Sequence, residues 1–175
     1  MAGIVIYGSQ YGTAKQYAEE LARRTGFELR PYDAAGDING YEAIVFVGAL
    51  YASGVLGMKK TFDKLADCQG KKFAIATVGV ADPTDAEYIA TVEDAMKQQL
   101  SAEVFAAASL FHLRGGIDYS RLSFKHKALL GLMYKRAKSL PEEELTADMR
   151  AMVETYNQRV SFVDFASLDQ IVAVL

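Results

Sequence analysis

The residues best suited to chemistry lie near the N-terminus, in the run Gly8-Ser9-Gln10-Tyr11-Gly12-Thr13-Ala14. The run follows the apolar strand Ile4-Val5-Ile6-Tyr7 and precedes a helical pattern from about Thr13 to Arg24. Backbone N–H groups at a helix start are unpaired, and the helix dipole favours an anion there. Ser9 and Thr13 add hydroxyl donors, and Gly12 lets a ligand approach the backbone closely. The loop holds no Lys or Arg, and the spacings GxxxxGK[ST] and GxGxxG are both absent. A monophosphate held by amides and hydroxyls fits better than a triphosphate with magnesium.

The elements around this loop alternate. Strands are expected at Phe27 to Arg30, Ala43 to Val47, Phe73 to Val78 and Val104 to Leu110, with helices at about 57–66 and 85–100. The strands are apolar on both faces, the pattern of a parallel sheet covered by helices on each side. The βαβαβ order implies an open doubly wound α/β sheet of five parallel strands. Such sheets bind ligands beyond the carboxyl ends of their strands, at the switch point. Two more loops fall at that end: Gly48 to Gly57 after the third strand, and Gly79 to Asp85 after the fourth.

The last third breaks the rhythm. A basic, apolar helix is expected over Asp118 to Lys138 and another helix from Pro141 to about Gln158. A short strand at Val160 to Phe165 and a final helix capped by Ser167 follow. This third reads as an insertion, at about 118–158, within one domain spanning 1–175. From His112 to Leu140 there are seven Lys/Arg and one Asp, a balance of +6, so the rest of the chain is acidic. A basic helix with an apolar stripe suits an anionic membrane surface, anionic groups on a small molecule, or an acidic protein. The alternative is that its leucines join the core and its lysines are solvated.

The 175 residues are 51% hydrophobic with a net charge of -3. That describes a folded globular chain with no nucleic-acid partner. Cys68 is the single cysteine, so no internal disulfide forms. With only His112 and His126 beside it, no metal site is expected. No signal-peptide pattern and no membrane-length apolar run occurs, so a cytoplasmic protein is expected, with a place on the inner face of the membrane as the alternative. His112 and His126 read as structural, hydrogen-bonded histidines, with proton carriers at the ligand site as the alternative. No catalytic residue can be assigned.

Ser9-Gln10-Tyr11-Gly12-Thr13-Ala14 resembles the FMN-phosphate loop of flavodoxin-like proteins, [S/T]-x-T-G-x-[T/A], with Tyr11 where that family usually has Thr. The resemblance implies FMN as cofactor, with Ser9, Gln10, Tyr11, Gly12, Thr13 and Ala14 at its phosphate. It implies that Ala49, Leu50, Tyr51, Ala52, Ser53 and Gly54 form one ring-binding loop and Val78, Gly79, Val80 and Ala81 the other. Tyr51 then stacks on the ring or packs on its own loop. The run Leu113-Arg114-Gly115-Gly116, with Tyr119 and the basic insertion, is similar to the flavodoxin-like, menaquinone-dependent protoporphyrinogen oxidases. That likeness implies electrons passing from a reduced substrate through FMN to a quinone, with Arg114 and the basic helix orienting an anionic substrate or the membrane. The alternatives are an electron-transfer flavodoxin serving protein partners, and an NAD(P)H:quinone reductase.

Overall fold

The computed structural model describes residues 1–51 and 54–175. The chain opens with β1 (Gly3–Gly8), α1 (Thr13–Thr25), β2 (Glu28–Pro31), β3 (Ala43–Tyr51), β4 (Gly54–Val55) and α2 (Met58–Phe62). It continues through β5 (Lys72–Gly79), α3 (Ala86–Lys97), α4 (Ala102–Ala107) and β6 (Ala108–Arg114). The last third holds β7 (Gly116–Asp118), α5 (Phe124–Lys138), α6 (Ala147–Thr155), β8 (Arg159–Ser161) and α7 (Asp169–Val172).

The main sheet runs β2-β1-β3-β5-β6, each neighbouring pair parallel, with β4 paired antiparallel to β3. The chain leaves β1 toward one edge and returns to its other side at β3, so strand order reverses between β1 and β3. This is the doubly wound α/β fold expected from the sequence. Alternate strand residues point to opposite faces. Ile4, Ile6, Ile44, Phe46, Phe73 and Ile75 therefore meet Met58, Phe62, Val92, Met96 and Val104 from α2, α3 and α4. On the other face, Val5, Val45, Val47, Ala74 and Ala76 meet Tyr17, Ala18 and Leu21 of α1 and Ile171 of α7. Burying each large side chain contributes about 1.5–3 kcal/mol, and β1, β3 and β5 carry Ile4, Ile6, Ile44, Phe46 and Ile75 fully buried.

Several boundaries differ from expectation. The fifth strand was expected over Val104 to Leu110. Ser101 instead caps α4 by accepting from the Val104 N–H, and the strand runs Ala108–Arg114. No helix begins at Asp118: Gly116–Asp118 pairs with β8, and the Asp118 carboxylate caps a short 3-10 turn. Ser123 then caps α5, accepting from the His126 N–H. The helix expected at Pro141 is a 3-10 turn at Glu142–Glu144, and α6 starts only after Thr146 caps it. Helix α2 stops at Phe62, short of the expected Ala66, and β8 stops at Ser161. Asp164, and not Ser167, caps the turn before α7.

Candidate functional site

Three strand ends converge at the switch point, and glycines let them approach. A Cβ on Gly8 would lie 1.9 Å from the Leu56 carbonyl oxygen, and one on Gly48 would lie 2.3 Å from Val55 Cγ1. The chain after β4 thus crosses the tips of β1 and β3, held by Leu56 N–H donating to the Ala49 carbonyl at 2.9 Å.

The loop after β1 is built around Gly12, whose φ of +100° suits glycine. Its N–H donates to Ser9 Oγ at 3.0 Å, and its carbonyl accepts from Gln16 N–H at 3.0 Å. Among the described residues, the N–H groups of Tyr11, Thr13 and Ala14 donate to no protein acceptor. Nothing lies within 4 Å of where a Gly12 Cβ would be. Free amides, open space and a helix start fit a phosphomonoester.

Tyr11 departs from the small hydroxyl residue usual at its position. Its phenol leaves the loop, hydrogen-bonds His126 Nδ1 and lies 3.4 Å from the Ser123 N–H, which donates to it. The first turn of α5 is thereby fastened to the phosphate loop.

Ala49, Leu50 and Tyr51 end β3, and Gly54 begins β4; Ala52 and Ser53 lie outside the described residues. Tyr51 is partly buried, with its ring centroid 6.5 Å from that of His126 and tilted by 39°. Burial, with the neighbouring Tyr11, pushes its phenol up to about 12. Leu50 turns toward the core and Gly79, where a Cβ would meet Leu50 Cδ1 at 2.9 Å. Val78 and Ala81 are buried and Val80 packs against the core, so the second loop offers backbone more than side chains.

A cleft of about 350 Å³ is lined by Gln10, Tyr51, Val55, Leu56, Gly57 and Gln99. Of these, Gln10 and Tyr51 are among the residues expected to bind the cofactor. Gln99 is not: its side chain accepts from Val55 N–H at 2.7 Å and donates to the Val55 carbonyl at 3.3 Å, supporting β4 as a neighbouring strand would.

The Leu113-Arg114-Gly115-Gly116 run is a joint. Arg114 Nε donates to the Val80 carbonyl at 3.1 Å, and its guanidinium lies 3.7 Å over the Phe162 ring. Gly115 N–H donates to the Gly79 carbonyl at 2.6 Å, and its carbonyl accepts from Phe162 N–H at 2.9 Å. A Cβ on Gly115 would meet Val78 Cγ1 at 2.8 Å and Thr13 Cγ2 at 3.2 Å. Arg114, expected to orient a substrate, spends its Nε and one face on holding the second loop and the C-terminal strand segment. His112 is structural as expected, with Nδ1 2.8 Å from Thr77 Oγ1 and Nε2 3.4 Å from Glu93. His126 is different: it stands between Tyr11 and Tyr51, at the site. Among the described residues, no cluster of three His, Cys, Asp or Glu is placed to hold a metal ion.

An open doubly wound sheet places its ligand site beyond the strand ends at the β1/β3 switch point, where the free amides around Gly12 lie. The profile of the flavodoxin domain family matches residues 4–144, and the chain belongs to that family. No curated protein matches it. Among solved structures, it is similar to Smu.1420 from Streptococcus mutans, with 10% identity, 74% of this chain and 94% of that one covered, and a TM-score of 0.49. It is also similar to a flavodoxin from the domain Archaea, with 16% identity, 66% and 85% covered, and a TM-score of 0.45. A third is a flavoprotein in complex with FMN from Lactobacillus acidophilus, with 12% identity, 65% and 91% covered, and a TM-score of 0.40. FMN is the cofactor this family fold serves, its role is redox and electron transfer, and the free amides around Gly12 fit its phosphate.

Proposed function

We propose that the chain is an FMN-dependent oxidoreductase of the protoporphyrinogen-oxidase-like kind, carrying electrons from a reduced anionic substrate to a quinone at a membrane surface. The observation that supports this is the outer face of α5. Lys125, Leu129, Leu132, Met133 and Arg136 follow one helical stripe, while His126, Leu130, Tyr134 and Ala137 face inward. Phe124 is 86% exposed and Leu132 68%. The leucines at 129 and 132 therefore do not join the core. Among the described residues, Lys125, Lys127, Lys135, Arg136 and Lys138 make no ion pair. An apolar and cationic face, fastened to the phosphate loop through Tyr11 and His126, suits a partner that is both apolar and anionic.

FMN supplies a ring that accepts two electrons as hydride and releases them to an acceptor. The chain's own part is binding and orientation. Ser9 to Ala14 hold the phosphate. Ala49, Leu50, Tyr51 and Gly54 bound one side of the ring, with Tyr51 as its stacking side chain, and Val78 to Ala81 bound the other through backbone. The segment 118–158 acts as an insertion in a single domain, and the protein works in the cytoplasm against the inner face of the membrane. Among the described residues, no helix is long and apolar enough to cross a membrane. The test is anaerobic reduction of the FMN-loaded protein by a porphyrinogen, NADH, NADPH or a ferredoxin system, followed by flavin absorbance. Rapid bleaching by the porphyrinogen, with reoxidation by a quinone, is expected. Bleaching by the ferredoxin system alone would make the protein an electron carrier, and bleaching by NADH or NADPH alone a nicotinamide-dependent reductase.

A further inference from the structure

The phosphate loop and the start of α5 lack complementary things. Residues 8–14 present free amides but no cation. The first turn of α5 carries Lys125, His126 and Lys127 at the positive end of a helix dipole, an arrangement that costs stability unless an anion stands nearby. Among the described residues, neither lysine has an acidic partner, and no acidic residue lies in that first turn. The two segments are far apart in sequence yet joined by the Tyr11 phenol, which hydrogen-bonds His126 Nδ1 and accepts from Ser123 N–H at 3.4 Å. The His126 ring lies 5.7 Å from that of Tyr11 and 6.5 Å from that of Tyr51, spanning the gap between the phosphate loop and the end of β3.

We infer that His126, held by Tyr11, is a hydrogen-bonding residue for the phosphate of FMN, so that the insertion completes a phosphate site that the loop supplies with amides and hydroxyls alone. Lys127, next to it and exposed, places a positive charge beside the same turn. This rests on the FMN reading and adds to it a specificity determinant: His126 makes the protein prefer the phosphomonoester to the uncharged riboflavin. Tyr11 is the positioning residue. Its bulk, out of place in a loop of small residues, carries the hydroxyl to α5.

The experiment measures dissociation constants of apoprotein for FMN and for riboflavin by flavin fluorescence. The comparison covers wild type, His126→Ala, His126→Lys and Tyr11→Phe, with thermal melting as the control for folding. In His126→Ala, FMN affinity should fall about tenfold while riboflavin affinity changes less than twofold. His126→Lys should restore most of the preference, and Tyr11→Phe should fall between. An unchanged FMN-to-riboflavin ratio in His126→Ala overturns the inference, as does an equal loss for both ligands, since either places His126 away from the phosphate. Failure of the wild-type protein to bind FMN overturns the flavin reading and this inference with it. Tight wild-type binding with an unchanged ratio overturns the inference alone.

Discussion

The hydroxyl of Tyr17, on α1, donates to the carbonyl oxygen of Arg114, at the end of β6, at 2.7 Å. The Tyr17 hydroxyl oxygen itself accepts from Asp164 N–H at 2.9 Å, so one buried phenol joins the first helix, the last parallel strand and the C-terminal segment. Burial raises its pKa, keeping it a donor at working pH. Tyr17→Phe leaves a carbonyl and an N–H without their partner. Leaving such groups unsatisfied costs about 1–3 kcal/mol. The expected result is a stability loss of that size in urea unfolding, with flavin affinity lowered less than stability.

Gly115, just past the end of β6, leaves no room for a side chain beside the start of α1. An alanine there meets Val78 Cγ1 at 2.8 Å and Thr13 Cγ2 at 3.2 Å, so the phosphate loop or the end of β5 must shift. Overpacking of this kind costs about 1–3 kcal/mol. Gly115→Ala should weaken FMN binding measurably in a titration, whereas Gly40→Ala, where no atom lies within 4 Å, should leave FMN affinity unchanged.

Tyr51 carries a pH signature. Its phenol is pushed from 10.0 to about 12 by burial first and by Tyr11 second. The folded state therefore holds the proton where the unfolded chain has lost it, and stability falls as pH rises from about 10 to about 12. Tyr51→Phe should flatten that part of the alkaline denaturation curve. A curve identical to wild type would show that the phenol is not shielded.

The outer face of α5 should hold the protein on anionic vesicles. Each cation near such a surface contributes around 1 kcal/mol, and salt screens it. Co-sedimentation with anionic vesicles should be strong at low salt, weak at high salt and absent with neutral lipid. Changing Lys135, Arg136 and Lys138 to Glu should abolish it while FMN stays bound. Wild-type protein remaining in the supernatant at low salt removes the membrane from the account.

Much of this architecture was legible from local pattern. Ala43 to Val47 and Phe73 to Val78 are apolar on both faces, which a doubly covered parallel strand requires, and both are central strands. The stretch Val104 to Leu110 misled because a short apolar run suits a strand or a buried helix equally, and the Ser101 cap decided for helix. The two-residue β4 has no periodicity to read, and it depends on Gln99, 44 residues from Val55. The candidate phosphate loop could be picked out because the chemistry that suggests it, Ser9, Gly12 and Thr13 at a helix start, is local. The placement of His126 could not, because its partner Tyr11 is 115 residues away and no spacing rule links them.

The most direct test is an equilibrium titration of apoprotein with FMN, comparing wild type with Thr13→Asp. Thr13 begins α1, and a carboxylate there would repel a phosphate at the helix start. The account predicts saturation at about one FMN per chain and a loss of affinity of about tenfold or more in Thr13→Asp, a change of about 1.4 kcal/mol or greater. No saturable binding by wild type, or equal affinity in the two proteins, would contradict the placement of FMN at this loop.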